Sequence, residues 1–156
     1  MMFFLTALTV LAIDQATKIA VRLHMKVGNS VPVWDEVLQF TRYENSGIAR
    51  GMLQGYGRLS VPIAVFVTVM ILYYRKKGLL NSSAQQIGAA LLVGGALGNA
   101  IDRLLYNQVT DFIAFTFMDG ILNVADYAIQ FGILLIIAGM LREEWRSRKQ
   151  ARSKEH

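Results

Sequence analysis

Four apolar stretches, at about residues 2–23, 59–74, 86–106 and 121–141, dominate a chain of only 156 residues. Each approaches the roughly 20 residues a helix needs to cross the hydrocarbon core of a bilayer. The second is the shortest and ends against Arg75-Lys76-Lys77, whose long side chains can snorkel to the interface while the helix tilts. A soluble domain of this size has too little interior to enclose four wholly apolar helices. The expectation is therefore a mainly α membrane protein, a single domain over 1–156 with four transmembrane helices. The first stretch could be read as a cleaved signal peptide, but Asp14 and Lys18 interrupt what should be a purely apolar segment. It is taken as a permanent span.

The chain has no cysteine, which removes disulfides, thiolate nucleophiles and cysteine-bearing metal sites together. His24 and His156 stand alone, without a neighbour at ligand spacing, so neither a metal nor another cofactor is expected. Much of the +5 formal charge lies in Arg75-Lys76-Lys77 and in a basic tail at about 142–156, with Arg142, Arg146, Arg148, Lys149, Arg152 and Lys154. With four spans both segments face one side, and the positive-inside rule makes that side cytoplasmic, together with both termini. No aromatic interleaving or binding motif supports a nucleic-acid partner. Anionic membrane lipid is the better match for these charges.

Against this apolar background, Asn99-Ala-Ile-Asp102 and Asn123-Val-Ala-Asp126 stand out, joined by Asp14, Lys18, Arg103 and Asp111. An ionisable group at membrane depth costs roughly 2.5 to 3.5 kcal/mol on insertion scales, so such groups mark function. The predicted topology brings all of them to a similar depth near the outer interface. Asparagine and aspartate three residues apart on a helix share a face, pairing an amide with a carboxylate. Two carboxylates held close in a low dielectric cannot both ionise, which leaves one acid and one base. That is what an aspartic peptidase needs. Interhelical hydrogen-bonding glue and a proton or ion pathway remain alternatives for the same residues. In the glycine-rich word Gly94-Gly95-Ala96-Leu97-Gly98, close helix packing is the expected role.

On the outer side, residues 31–43 are rich in β-branched and aromatic residues and predict short strands. The glycine-punctuated stretch 44–57 suits the membrane surface, with Trp34, Tyr43 and Tyr56 as interfacial anchors. Residues 24–58 thus form a small extracytoplasmic platform, and 107–120 a connection between the last two spans.

Five words in order, Asp14-Gln15-Ala16-Thr17-Lys18, Asn45-Ser46-Gly47-Ile48-Ala49, Gly94 to Arg103, Val109-Thr110-Asp111-Phe112-Ile113 and Asn123-Val124-Ala125-Asp126, make the chain resemble bacterial lipoprotein signal peptidase, or signal peptidase II, over nearly its whole length. The resemblance implies a membrane aspartic endopeptidase that removes signal peptides from diacylglyceryl-modified prolipoproteins, cutting before the lipidated cysteine. It further implies a β-cradle with a short surface helix or flap, inhibition by globomycin-type cyclic peptides, and a monomer in the bacterial cell membrane. A non-catalytic small membrane carrier or interaction subunit is the alternative from another class.

The Asn-x-x-Asp echo invites a dyad of Asp102 and Asp126, whereas the resemblance implies Asp111 and Asp126. Asp102 precedes Arg103 in a helix and has cations to keep it ionised, while Asp111 lies in a connection able to fold back beside the fourth span. By position, Asn99 and Asn123 would orient the dyad or bind substrate backbone, and Asn45 and Arg103 would bind substrate carbonyls. Gly47 would allow close backbone approach, and Ala125 would leave room at the scissile bond. Asp14 and Lys18 would form a structural ion pair tying the first helix to the outer platform, with Asp102 also structural. Arg50, Leu122 and Tyr127 depart from the family's pattern, as does a short 111–126 connection; they bear on the flap and rim, not on the dyad.

Overall fold

In a computed structural model the protein is described over residues 1–47 and 54–152. The order is α1 (Met2–His24), β1 (Ser30–Trp34), β2 (Leu38–Asn45), a single 3-10 turn (Gly57–Leu59), α2 (Ser60–Lys76), α3 (Ser83–Tyr106), β3 (Val109–Phe115), β4 (Ile121–Leu122) and α4 (Val124–Arg152). Four helical segments, Met2–His24, Gly57–Lys76, Ser83–Tyr106 and Val124–Gln150, are long and apolar enough to cross a membrane. Their outward faces carry Phe4, Leu8, Ile19, Ile63, Phe66, Val69, Phe131 and Leu134, all exposed. So much apolar surface on a small protein is what a bilayer would cover.

Local chemistry sets the helix ends. Ser82 accepts the Gln85 amide at 3.2 Å, and the Gln85 side chain returns to the Ser82 amide at 3.1 Å, a reciprocal cap that starts α3. Asn107 closes α3 in the left-handed region (φ 59°), where asparagine is tolerated, with its N–H on the Arg103 carbonyl. That stop turns the chain directly into β3.

Helix α3 is the centre of the bundle because its glycines let the neighbours reach its backbone. A Cβ on Gly95 would lie 2.5 Å from the Ala125 carbonyl of α4, and one on Gly94 2.6 Å from the Ala7 carbonyl of α1. Gly88 and Gly132 face each other in the same way, each 2.6 Å from the other's carbonyl if a Cβ were added. Without a hydrophobic drive between helices in lipid, close approach and dispersion hold them together. At the end holding both helical termini, Phe3, Ala7, Ala89, Ala90 and Val93 form an apolar core. There the Arg75 guanidinium lies 4.9 Å from the Phe3 ring centroid, and Gln85 donates to Glu143 at 3.0 Å. All four helices meet at that end.

The sheet is antiparallel with order β1-β2-β3-β4. Strands in 31–43 were expected; the two strands drawn from the 107–120 connection and its edge were not. β3 pairs with β2, placing Asn45 opposite Val109 and Tyr43 opposite Asp111. The fourth span was expected from 121, but Ile121–Leu122 is a strand and the helix begins at Val124. Most of the basic tail continues α4 as helix through Arg152. Ile48, Ala49 and Arg50, part of the expected surface stretch 44–57, and Lys154 lie outside the described residues.

Gly95→Ala should lower stability by about 1–3 kcal/mol, the cost of forcing a methyl into a filled contact. Thermal unfolding in mild detergent checks it; an unchanged midpoint would mean that the α3–α4 contact can open freely.

Candidate active site

Helix α4 begins with a device that also builds the site. Asn123 precedes the helix, and its Oδ1 accepts the Asp126 amide at 2.9 Å while its own amide donates to Asp126 Oδ2 at 3.3 Å. This is the reciprocal cap of a helix start, with aspartate at the third position. The remaining Asn123 Nδ2 donates to Asp111 Oδ1 at 2.5 Å. One fully buried asparagine therefore links both carboxyl groups. Asn123 was expected on a helix face shared with Asp126; it caps the helix instead.

Asp111 reaches this point because β3 pairs with β2. Asn45 lies on the same face of the sheet, diagonal to Asp111, and its Nδ2 donates to Asp111 Oδ2 at 3.1 Å. Asn45 Oδ1 is occupied by the Gly47 amide at 3.0 Å. Asp111 is only 2% exposed, and burial, followed by the neighbouring Asp126 charge, pushes its carboxyl up to about 7. The donated hydrogen bonds from Asn45 and Asn123 oppose that rise. Asp126 is partly exposed and accepts Asn99 Nδ2 on Oδ1 at 2.8 Å.

A second polar cluster sits behind the first. Lys18 Nζ lies 2.8 Å from Asp14 Oδ2, 2.8 Å from Asn99 Oδ1 and 3.3 Å from Asp102 Oδ2. Asp102 Oδ2 also takes Arg22 Nη2 at 2.8 Å and the Thr110 amide at 3.3 Å, and Oδ1 takes Gln15 at 3.3 Å. Asp14 Oδ1 accepts the Ala125 amide at 2.9 Å. The Asp14–Lys18 pair thus ties α1 to α3 and to the start of α4, rather than to the outer sheet. The contact to the sheet falls to Arg22, whose Nε donates to Thr110 Oγ1 at 2.7 Å.

Asp102 forms its ion pairs with Lys18 and Arg22 of α1, and its charge also acts on the adjacent Arg103. Arg103 is buried and extends its Nη2 to 3.5 Å from the Gly47 carbonyl. Ala125 was expected to leave room at the scissile bond. It is fully enclosed against Gly95 and Gly98, so its small side chain serves the helix contact. Among the departures, Leu122 falls on β4 and Tyr127 on the first turn of α4 beside Asp126, stacked at 6.5 Å on Phe131.

Gln15, Arg22, Glu44 and Thr110 were not anticipated. A signal for Arg22 existed: 14, 18 and 22 recur every four residues and line one face of α1. Thr110 and Glu44, 3.0 Å apart across the β2–β3 pair, carried none without the strand register. A cavity of about 420 Å3 lined by Ser82, Ser83, Arg142 and Arg146 lies at the opposite end of the bundle, away from all these groups.

The arrangement can do acid–base chemistry: two carboxyl groups share one asparagine, one deeply buried and one partly exposed. The family model described as signal peptidase (SPase) II matches residues 6–142. A protein of Halalkalibacterium halodurans named lipoprotein signal peptidase is 37% identical over 96% of this chain and 98% of its own length. A Bacillus velezensis protein of the same name is 35% identical, over 96% of this chain and all of its own length (100%). A bacterial membrane enzyme solved by the in meso method at 2.3 Å has 34% identity and a TM-score of 0.86, covering 92% of this chain and 89% of that one. A second, at 1.9 Å, has 34% identity and a TM-score of 0.82, covering 90% and 92%. Matched over most of its length by that family model and by relatives more than 30% identical, the chain belongs to the signal peptidase II family.

Proposed function

We infer that the protein is an aspartic endopeptidase that removes signal peptides from diacylglyceryl-modified prolipoproteins, cutting before the lipidated cysteine, with Asp111 and Asp126 as its dyad. The observation that carries this is the double link through Asn123, which holds one carboxyl of β3 and one of α4 in a single hydrogen-bonded unit. Asp126, partly exposed, is the base that takes a proton from water. Asp111, held protonated by burial, gives its proton to the peptide carbonyl as the tetrahedral oxyanion forms. As the intermediate collapses, the departing amine collects from Asp126 the proton taken from water and a hydroxyl of the intermediate returns a proton to Asp111, so the dyad regains its starting state without metal or covalent intermediate.

Asn45, Asn99 and Asn123 orient the two acids. Arg103 and Gly47, adjoining in space, bind substrate backbone next to the dyad. Asp14, Lys18 and Asp102 hold the helices. The alternative of a non-catalytic carrier loses its ground once the chain falls within a peptidase family. The enzyme works as a monomer in the bacterial cell membrane, with the dyad near the outer interface and both termini cytoplasmic. The basic ends of α2 and α4 lie against anionic lipid, and globomycin-type cyclic peptides inhibit the enzyme.

Purified wild-type protein should cleave a diacylglyceryl-modified prolipoprotein in lipid mesophase, with Asp111→Asn and Asp126→Asn each reducing turnover at least about a thousandfold. Asp102→Asn should retain measurable cleavage in whatever fraction folds. A fully active Asp111→Asn protein would remove Asp111 from the dyad.

The pH profile follows from the buried acid. Asp111 must carry its proton to act, so kcat/KM should fall as pH rises through about 7. Asn45→Ala deletes a donor that favours the ionised form, so this alkaline limb should move to higher pH. A limb that stays put, or moves down, would rule out Asp111 as the proton donor.

Because the chain lacks cysteine, single thiols report sidedness cleanly. A membrane-impermeant maleimide should label Asp119→Cys in cells whose inner membrane is intact, and Lys77→Cys only after lysis. The reverse pattern would invert the topology.

A further inference from the structure

Three carboxamides face the two acids, and in each the oxygen is already occupied. Asn45 Oδ1 takes the Gly47 amide and Asn123 Oδ1 the Asp126 amide, both backbone donors. Asn99 differs. Its Oδ1 is held at 2.8 Å by the ammonium of Lys18, a side chain with no exposed surface, while its Nδ2 reaches Asp126 Oδ1 at 2.8 Å.

An ammonium has three donors and no acceptor. All three are directed at oxygens: Asp14 Oδ2, Asn99 Oδ1 and Asp102 Oδ2. If the Asn99 amide turned over, its NH2 would meet the ammonium and its oxygen would meet Asp126. The first contact is donor against donor in a buried site, so the turned form is excluded. Without the lysine the turned amide becomes acceptable, since its oxygen could accept a proton from a neutral Asp126. That would place the shared proton on the wrong acid.

The charges around the lysine strengthen this reading. Asp14 and Asp102 are opposed by Lys18 and Arg22, so the cluster is neutral as a whole, although the charge of Lys18 itself is felt by both Asp111 and Asp126. Beside that charge, its direct contact with the three carboxamides is one hydrogen bond, from Lys18 to Asn99 Oδ1. The charged groups facing Asp126 are Lys18 from α1, Arg103 from α3 and Asp111 from β3, with Tyr127 on its own helix and Asp14 and Asp102 one shell behind. None of the others touches Asn99 Oδ1 among the described contacts.

We propose that Lys18 is a positioning residue: by occupying Asn99 Oδ1 it locks the amide toward Asp126, keeping that carboxylate the dyad's base and leaving the shared proton on Asp111. The proposal rests on the peptidase reading above and adds a role to a lysine otherwise assigned to helix packing.

The test is a cycle between the lysine and the amide, run on the full-length protein with a diacylglyceryl-modified prolipoprotein in mesophase. Asp14→Asn combined with Lys18→Met removes one charge of each sign, so no buried ion is left over. Relative to Asp14→Asn alone, kcat should fall about ten- to a hundredfold with KM changed less than about twofold. The acid limb of the pH profile should move to higher pH, because the base is held less firmly as its anion. In an Asn99→Ala background the same lysine change should cost less than about twofold, since there is no amide left to lock.

If the methionine pair does not fold, the cycle is read on Asp14→Asn with Lys18→Gln, whose neutral donor should give a smaller loss that likewise vanishes without Asn99. Losses that multiply in the Asn99→Ala background, or a lower kcat fully matched by a lower folded fraction with the pH profile unmoved, would overturn the lock. If folded wild-type protein failed to cleave, the peptidase reading itself would fall, and the lock with it; cleavage with independent Lys18 and Asn99 effects would sink the lock alone.

Discussion

The buried ammonium of Lys18 is the interaction on which the rest of the architecture depends. An ion in an apolar layer is tolerable only if every donor finds a partner. Lys18 meets that condition with groups from α1 and α3, and its two carboxylate partners reach onward. Asp102 extends to Arg22 and to the amide of Thr110 on β3, and Asp14 to the amide of Ala125 at the start of α4. One charge-balanced cluster thereby registers two helices, a strand and a helix start against one another. Gly98, where an added Cβ would collide with the Asp14 carboxylate, is what lets α1 come close enough for this.

The Asp111–Asp126 pair is a product of that registration. Its acids differ in origin and in surroundings: Asp111 is a strand residue almost wholly enclosed, Asp126 a first-turn helix residue with a side open. Unequal burial of two neighbouring carboxyl groups is what separates an acid from a base. Asparagine suits the setting because it is uncharged, offers both a donor and an acceptor, and adds no field of its own. Each of the three amides uses its oxygen internally, leaving only a donor for the carboxylates.

Much of this was legible in the chain. Apolar length declared the four helices, and the glycine word around Gly94 and Gly95 declared a close helix contact, because both depend on composition over a local window. The polar residues were conspicuous for the same reason. Two features misled. The repeated Asn-x-x-Asp spacing suggested equivalent roles, yet Asn99 and Asp102 are both helical while Asn123 caps a helix. Asp102 then turns to the cations of α1, although it shares a face with Asn99. Strand β3 was invisible because its partner β2 lies more than sixty residues earlier, and no local pattern encodes that pairing.

The sequence by itself determined the class of protein, the number of spans and the pool of residues from which a site could be made. These follow from the cost of exposing backbone and charge to lipid, which each segment meets or fails alone. Only the tertiary structure decided which acids pair, which amide faces which carboxylate, and that Lys18 rather than Arg103 stands behind Asn99. Those outcomes depend on the β2–β3 register and on helix approach at glycine, contacts between distant segments whose energies exist only once the chain has folded.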